Sequence, residues 1–346
     1  MNNYPNMKEI FLTECSEQPK RLADVFRSYA TDPEVRCELE HAKQSIRVPQ
    51  PLVWLGMGAS YCSSIAGATR YTLAGNPSFP VEASEWLHYA PATWGKVGGP
   101  ILMTTSGESA ELVELCRQNA QRPRILICNS PESSCWQDAD IRLPILAGIE
   151  NGNATNSYTN CAAVSSILAA ELLGQPWQIE AAQVESALAR SLEHAFGERR
   201  EIESFCRGVE TLEIMGRGAA LGGALMGTLC VREMTGWRVH AHSGGAFRHG
   251  PFLDVDSGHA AMILALGRTA DLGRGLARDC MAKGGKVVLV VDREPVESGT
   301  GLLTIKLEPV PESWEGLTSV LVPQALTLAL IERLGSRYVR LNTTVQ

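Results

Sequence analysis

The sequence lacks several patterns that would identify a chemistry at once. No two of its ten cysteines form a C-x-x-C pair, and no zinc-ligand spacing is present. No run of five or more like charges occurs, and the formal net charge is −7, which disfavours nucleic acid as a partner. The composition therefore predicts reduced, buried thiols in a cytoplasmic protein without a metal.

Signals for export and for membranes are missing as well. The first twenty-two residues are polar and mixed in charge, without a basic segment followed by an apolar one. The uninterrupted apolar runs are shorter than a bilayer requires. We therefore expect no secretion signal and no membrane partner.

What the sequence does contain is a regular alternation of short apolar runs and helical patterns. Apolar runs start near 51, 101 and 124, and again near 211, 260 and 286. Three anchor pairs in or beside these runs, Gly58 and Gly218, Ile101 and Ile263, and Ile125 and Val287, recur at offsets of 160, 162 and 162 residues. Such alternation predicts an α/β fold with two tandem nested (flavodoxin-like) α-β-α domains and parallel sheets. The predicted division is an N-terminal segment 1–30, a first domain 31–176, a helical connector 177–206 and a second domain 207–346.

Two polar loops follow predicted strands in the first half. They are GMGAS (56–60) and TTSGES (104–109). Ligands bind outside the carboxyl ends of parallel strands, and helix N-termini attract anions, so these loops could bind a phosphate. Alternatively, their serines and threonines serve only as helix caps. GMGAS lacks the third glycine and the acidic partner of a dinucleotide site, so no such cofactor is expected.

The second half contains a segment rich in ionisable residues, REMTGWRVHAHSGGAFRHGPF (232–252). His240 and His242 form an H-x-H pair, which is a weak metal signal without further ligands. Glu233 and His249 could instead act as a general acid and base. The spacing alone equally fits ordinary core or surface residues.

Taken together, these segments resemble the sugar isomerase (SIS) family, specifically the isomerase part of glucosamine-6-phosphate synthase. The resemblance covers nearly the whole chain and is carried by seven motifs: EQP (17–19), GMGAS, VEASEW (81–86), TTSGES, AGIENGNATNS (147–157), GRGAA (216–220) and AFRHGP (246–251).

The resemblance implies a role for each matching residue. Phosphate binding is implied for Ser60, Thr104, Thr105, Ser106 and Ser109. Sugar binding is implied for Gly58, Ala59, Asn153, Ala154 and Thr155. Glu233 matches the family's C1–C2 proton shuttle. His249 matches the residue that acts at ring opening or at the adjacent heteroatom and that, in the synthase, reaches the site from the partner subunit. A homodimer with interfacial sites is therefore expected, with a phosphosugar substrate and no cofactor.

The chain also departs from the synthase. It is too short for the glutamine-hydrolysing domain and has no cysteine after Met1; Cys230 and, loosely, Thr343 stand where the synthase has lysines. Loss of both lysines with retention of Glu233 and His249 resembles the fructosamine-6-phosphate deglycases. A glucosamine-6-phosphate deaminase or ketose–aldose isomerase is the alternative reaction, and a non-catalytic phosphosugar sensor is the alternative class.

Overall fold

The computed structural model describes residues 6–47, 50–118, 123–296 and 299–338. Within these residues, ten strands form two five-stranded sheets in which all paired strands are parallel. The strands are β1 (Leu52–Gly56), β2 (Ser78–Glu82), β3 (Gly99–Thr104), β4 (Ile125–Cys128), β5 (Ile141–Pro144), β6 (Thr211–Gly216), β7 (Val239–Ser243), β8 (His259–Ala265), β9 (Lys286–Val291) and β10 (Leu302–Lys306).

The α-helices of the described chain precede, separate and follow these strands. They are α1 (Met7–Thr31), α2 (Pro33–Ser45), α3 (Ala59–Leu73), α4 (Ala83–Tyr89), α5 (Ala110–Arg117), α6 (Ser134–Asp138), α7 (Asn156–Leu172), α8 (Trp177–Gly197), α9 (Arg199–Cys206), α10 (Ala219–Thr235), α11 (Gly244–Arg248), α12 (Ala270–Ala282), α13 (Glu315–Ser319) and α14 (Leu321–Leu334).

Both sheets have the same strand order. The first runs β2-β1-β3-β4-β5 and the second runs β7-β6-β8-β9-β10, so each is a 2-1-3-4-5 sheet of the flavodoxin-like type. Parallel sheets are covered by helices, which explains why β1, β3, β4 and β9 consist of near-continuous buried apolar residues. The predicted α/β fold with parallel sheets is confirmed.

The chain forms two compact units. The first unit contains β1–β5 and comprises residues 17–150 and 154–182. The second unit contains β6–β10 and is built from residues 6–16, 151–153 and 183–338 of the described chain. The domain boundaries predicted from the sequence stay predictions.

In the first unit, α3 and α7 pack closely because small residues line their contact. A Cβ on Gly67 would lie 2.8 Å from the Ser165 carbonyl oxygen and 2.8 Å from the Trp54 ring. The Gly67 amide instead donates a hydrogen bond to Ser165 Oγ at 3.1 Å. The small residues at this contact therefore let the two backbones approach.

In the second unit, α10 packs against α13 and α14 in the same way. A Cβ on Gly223 would meet Ser319 Oγ at 2.1 Å, and one on Gly227 would meet Pro323 at 2.4 Å. One described stretch, Glu312–Leu334, is long and apolar enough to cross a membrane by composition alone, but 83% of its apolar window is buried inside the fold. The sequence expectation missed this stretch because polar residues such as Gln324 and Thr327 interrupt its apolar runs.

The turns after β1 and β6 share one backbone geometry. Gly58 and Gly218 have φ of 51° and 55°, a left-handed conformation that glycine adopts without steric cost. Two residues earlier, a Cβ on Gly56 would lie 2.7 Å from the next helix backbone, and one on Gly216 would lie 2.5 Å from it. The two glycine pairs therefore let a helix begin directly above each strand end.

All ten cysteines lie in the described residues, and none forms a disulfide. Nine are buried and Cys37 is exposed. Burial raises the pKa of Cys161 and of Cys206, each to about 12. These thiols remain protonated packing groups at neutral pH, as the composition predicted.

Candidate functional site

The first predicted loop joins β1 to α3 in the first unit. Ala59 begins α3, and Gly58 precedes it as the N-cap without a side-chain cap. Ser60 is buried in the first turn of this helix. Because the cap is a glycine, the first backbone N–H groups of α3 have no capping oxygen from the side chain at that position. The amides of Ser60 and Tyr61 donate to the Met57 carbonyl oxygen at 3.0 and 3.4 Å, so what this loop offers is the Ser60 hydroxyl beside a helix N-terminus.

The second predicted loop joins β3 to α5. Thr104 Oγ1 accepts a hydrogen bond from the Gly107 amide at 3.1 Å, and Ser106 Oγ accepts one from the Glu108 amide at 3.2 Å. Hydroxyls that accept in this way keep their own O–H for donation. Thr105 is half-buried, with its carbonyl oxygen accepting from Ser130 Oγ at 3.3 Å.

Ser109 occupies the N-cap position of α5, yet its side chain makes no capping hydrogen bond. The simple alternative, in which the loop serines only cap helices, therefore does not account for this residue. Ser109 is half-buried and leaves its hydroxyl available for another acceptor.

The two loops follow neighbouring strands, since β1 pairs with β3 in parallel register, with Leu55 opposite Leu102. In the sheet, β2 lies on one side of β1 and β3 lies on the other, so the strand order reverses its direction between β1 and β3. The loops after these two strands therefore flank the topological switch point of the sheet. Hydroxyl and backbone donors at this position could bind a phosphate without a cationic side chain.

The segment 153–155, which the sequence predicted to line the sugar site, is largely buried. Asn153 and Thr155 are buried, and Ala154 is partly buried. Thr155 donates both its amide, at 2.8 Å, and its hydroxyl, at 2.7 Å, to Glu150 Oε1. The Glu150 carboxylate also accepts from the amides of Asn156 and Ser157, so it satisfies the N-terminus of α7.

Glu233 lies in the last turn of α10, in the second unit. Its carboxylate accepts a hydrogen bond from Asn153 Nδ2, and Cys230 Sγ donates to Asn153 Oδ1 at 3.0 Å. Burial of the carboxyl raises the pKa of Glu233, an effect that the Asn153 hydrogen bond partly opposes. A carboxyl with a raised pKa is a stronger base at neutral pH, which suits proton transfer.

The chain after α14 holds this region in place. Ser336 Oγ and the Arg337 amide both donate to the Met234 carbonyl oxygen, at 3.1 and 2.8 Å. The Tyr338 hydroxyl donates to the Gly152 carbonyl oxygen at 2.9 Å. These bonds fix both the end of α10 and the segment that carries Asn153. Thr343, which was aligned with a synthase lysine, lies outside the described residues.

His249 follows α11 and is exposed, as are its neighbours Arg248 and Gly250. Phe247 anchors this short helix in the core of the second unit. The second unit therefore presents the His249 imidazole to solvent.

His240 and His242 lie on β7, as the sequence predicted, and both face Glu213 on β6. His240 Nδ1 is 3.2 Å from Glu213 Oε1, and His242 Nε2 is 3.0 Å from Oε2. Glu213 is 8% exposed, so the two imidazoles cover a buried carboxylate. Among the described residues, no group of three or more His, Cys, Asp or Glu side chains is arranged to hold a metal ion.

The predicted residues thus divide between the units. The phosphate-loop residues, Ala154 and Thr155 belong to the first unit, whereas Asn153, Glu233 and His249 belong to the second. The sequence reasoning missed two interactions, Glu150 with the α7 N-terminus and Cys230 with Asn153. Only the three-residue spacing of Cys230 and Glu233 hinted at the second.

These features define a class: the chain has the fold of the phosphosugar isomerases, and the predicted resemblance to the sugar isomerase family is confirmed. It is similar to the glutamine–fructose-6-phosphate aminotransferase (isomerizing) of Aeropyrum pernix, with 26% identity over 341 residues, 94% of this chain and 53% of that protein. The chain spans about half the length of the curated relatives that it matches. No protein-family model matches it.

Solved structures share the fold over almost the whole chain. The C-terminal domain of glucosamine-fructose-6-phosphate aminotransferase from Francisella tularensis superposes with a TM-score of 0.83 at 21% identity, covering 94% of this chain and 97% of that one. Glucosamine-6-phosphate deaminase from Thermotoga maritima superposes with a TM-score of 0.70 at 16% identity, covering 94% and 95%. At these identities the likeness establishes the fold.

Proposed function

We propose that the protein is an enzyme that acts on a sugar-amine phosphate by moving a proton between C1 and C2, and that the reaction is the deglycation of a fructosamine 6-phosphate. The observation that carries this proposal is the Glu233 carboxyl, which is held by Asn153 and has a raised pKa. The similarity to glutamine–fructose-6-phosphate aminotransferases supports a hexose phosphate as the sugar part of the substrate.

The proposed chemistry uses one carboxyl for two transfers. Glu233 removes a proton from C1 of the ketosamine while the C2 carbonyl oxygen takes up a proton from solvent, which gives an enaminol. Glu233 then returns its proton to C2 while the nitrogen gives up its N–H proton to solvent. The product is an imine between C1 and the amine, and water then cleaves it to an aldose phosphate and a free amine. No ammonia source is needed, because the substrate already carries its nitrogen.

The loops of the first unit would bind the phosphate. Support comes from Ser109, whose hydroxyl does not cap its helix, and from the position of both loops at the switch point of the first sheet. The sugar-binding role of Gly58, Ala59, Asn153, Ala154 and Thr155 likewise stays part of this proposal.

We further propose that two copies of the chain assemble and that His249 acts in the site of the partner copy. The exposure of His249 supports this arrangement. The matching strand orders and the matching glycine turns support a second element of the proposal, that the two sheets are tandem SIS domains.

The test is incubation with fructose-lysine 6-phosphate, fructose-asparagine 6-phosphate and glucosamine 6-phosphate, followed by an assay for hexose phosphate and free amine. We expect turnover of a fructosamine phosphate. Turnover of glucosamine 6-phosphate alone would replace the proposal with the deaminase that the Thermotoga fold likeness makes the second candidate. Binding without any turnover would leave a phosphosugar sensor.

A further inference from the structure

We infer that Cys230 is a positioning residue: its thiol fixes the orientation of the Asn153 amide, which in turn holds the Glu233 carboxylate without introducing a positive charge. This inference rests on the proposed function of Glu233, because the positioning matters for the reaction only if that carboxyl transfers the proton.

The geometry of the three side chains is specific. Cys230 and Glu233 are three residues apart on α10 and therefore share one helix face. Cys230 is 0% exposed and Asn153 is 2% exposed, so solvent does not compete for these groups. The thiol donates to Asn153 Oδ1 at 3.0 Å, and Asn153 Nδ2 donates to Glu233 Oε2.

The order of donors and acceptors explains why a hydrogen-bond donor at position 230 matters. An asparagine amide has an acceptor at one end and donors at the other, and rotation by a half-turn exchanges them. A donor at position 230 selects the orientation in which Oδ1 faces Cys230 and the NH2 group faces Glu233. The rotated amide would place its oxygen against a carboxylate oxygen, which is repulsive, so the carboxylate and the thiol favour the same orientation, and the thiol adds a hydrogen bond to the Oδ1 end.

The hydrogen bonds from Cys230 to Asn153 and from Asn153 to Glu233 bring no positive charge near the carboxyl, and this affects the pKa of Glu233. Burial is the main cause of the raised pKa of Glu233, and the hydrogen bond from Asn153 lowers this pKa in part. Glu14, which accepts from the Asn151 and Gly152 amides, and Arg232, Arg238 and Arg337 are charged residues on the neighbouring segments, and none is among the causes of the shift. An ammonium group at position 230 would lower the pKa and weaken the base.

The decisive experiment compares Cys230→Ser, which keeps a donor, with Cys230→Ala, which does not. The pKa of Glu233 is measured by NMR on protein labelled with 13C at the glutamate carboxyl, with Glu233→Gln to assign the signal, and kcat/KM is followed against pH. We expect Cys230→Ala to loosen the hydrogen bond from Asn153 to Glu233, and therefore to raise the Glu233 pKa, to move the acidic limb to higher pH and to lower kcat/KM by up to roughly tenfold, the effect of losing one hydrogen bond to a charged group. Cys230→Ser should stay near wild type.

Controls separate positioning from packing. Cys280, also fully buried in the second unit, gives matched Cys280→Ala and Cys280→Ser variants that should leave the Glu233 pKa unchanged. Asn153→Leu removes both hydrogen bonds and should raise the pKa even if Cys230→Ala does not fold.

Two results would overturn the inference: an unchanged Glu233 pKa in both Cys230→Ala and Asn153→Leu, or equal displacements in Cys230→Ala and Cys230→Ser. The NMR measurement needs no turnover. If the wild-type protein converts none of the three substrates, the proposed function fails while the titration still decides the role of Cys230.

Discussion

The Glu150 carboxylate caps α7 through Thr155, from which it accepts both the backbone amide and the hydroxyl. The amides of Asn156 and Ser157 bond to the same carboxylate at 2.7 and 3.2 Å. A side chain five residues upstream therefore replaces the usual N-cap oxygen, and it occupies the place at this helix where an anionic ligand would otherwise bind.

Glu150→Ala should therefore lower the free energy of unfolding by about 2 kcal/mol or more, because several buried donors lose a charged acceptor. Urea denaturation would measure the change. Glu40→Ala is the control, since it removes an exposed ion pair with Lys43 and an exposed hydrogen bond from Gln44 Nε2 and should change stability little. Equal stability of the two variants would contradict the capping role.

Ser109→Ala should weaken phosphosugar binding about fivefold to tenfold while changing stability by less than about 0.5 kcal/mol, because its hydroxyl caps no helix. Ser133→Ala should do the reverse: Ser133 caps α6 by accepting from the Trp136 amide, so its loss should cost about 1 kcal/mol of stability and leave binding unchanged. Calorimetric titration with a sugar phosphate and thermal unfolding distinguish the two. A destabilised Ser109→Ala protein with normal binding would assign the loop to structure alone.

Glu233→Gln should lower kcat about 10²-fold or more while phosphosugar binding persists, since the amide keeps the shape of the side chain but cannot accept the C1 proton. Steady-state kinetics and equilibrium binding on the same preparation would test this. Glu213→Gln, which alters the buried carboxylate facing His240 and His242, serves as the comparison. Wild-type turnover by Glu233→Gln would rule out the proposed shuttle.

A second carboxyl with a raised pKa lies at the start of α13. Glu315 is 5% exposed, and burial, followed by the negative charges of Asp292 and Glu312, raises its pKa from 4.5 to about 8. Arg293 and Arg268 offset only part of this effect. The folded protein therefore holds Glu315 protonated over a pH range in which the unfolded chain ionises it.

Because of this raised pKa, the stability of the folded protein depends on pH. Below pH 4.5 the carboxyl is protonated in both states; as pH rises from 4.5 to about 8, only the unfolded chain loses the proton, so stability falls. Glu315→Gln should remove this decline, which amounts to about 1.4 kcal/mol for each unit of pKa shift. Unfolding free energies measured at several pH values would show it. If the unfolding free energy of Glu315→Gln fell with pH as steeply as that of wild type, the pH dependence would not arise from Glu315.

Much of the fold could be predicted from the sequence because its central strands are covered on both faces. Strands such as Ile125–Cys128 and Lys286–Val291 are therefore nearly pure apolar runs, bounded by glycine or polar turns. The N-terminal helix Met7–Thr31 was not predicted, because Pro19 lies inside it and interrupts a helical pattern. Edge strands such as Ser78–Glu82 are only partly buried and carry a weaker signal.

The candidate site was predictable to the extent that it depends on local sequence. The loops after β1 and β3 combine glycine and hydroxyl residues within six positions, and this pattern identifies them. The bond between Asn153 and Glu233 joins residues eighty positions apart. No local pattern encodes such a contact, which depends on how the segment 151–153 and the end of α10 fold together in the second unit.

The second unit is discontinuous in sequence, and this limits how the protein can be divided into fragments. Three separate stretches of chain, 6–16, 151–153 and 183–338, build it, and the first unit occupies the intervals between them. A single cleavage anywhere in the described chain therefore cannot release either unit with all of its parts. Two halves expressed apart should regain the Asn153–Glu233 bond only by fragment complementation, and an autonomous second unit would require 6–16 and 151–153 to be joined to 183–338 without the intervening segments.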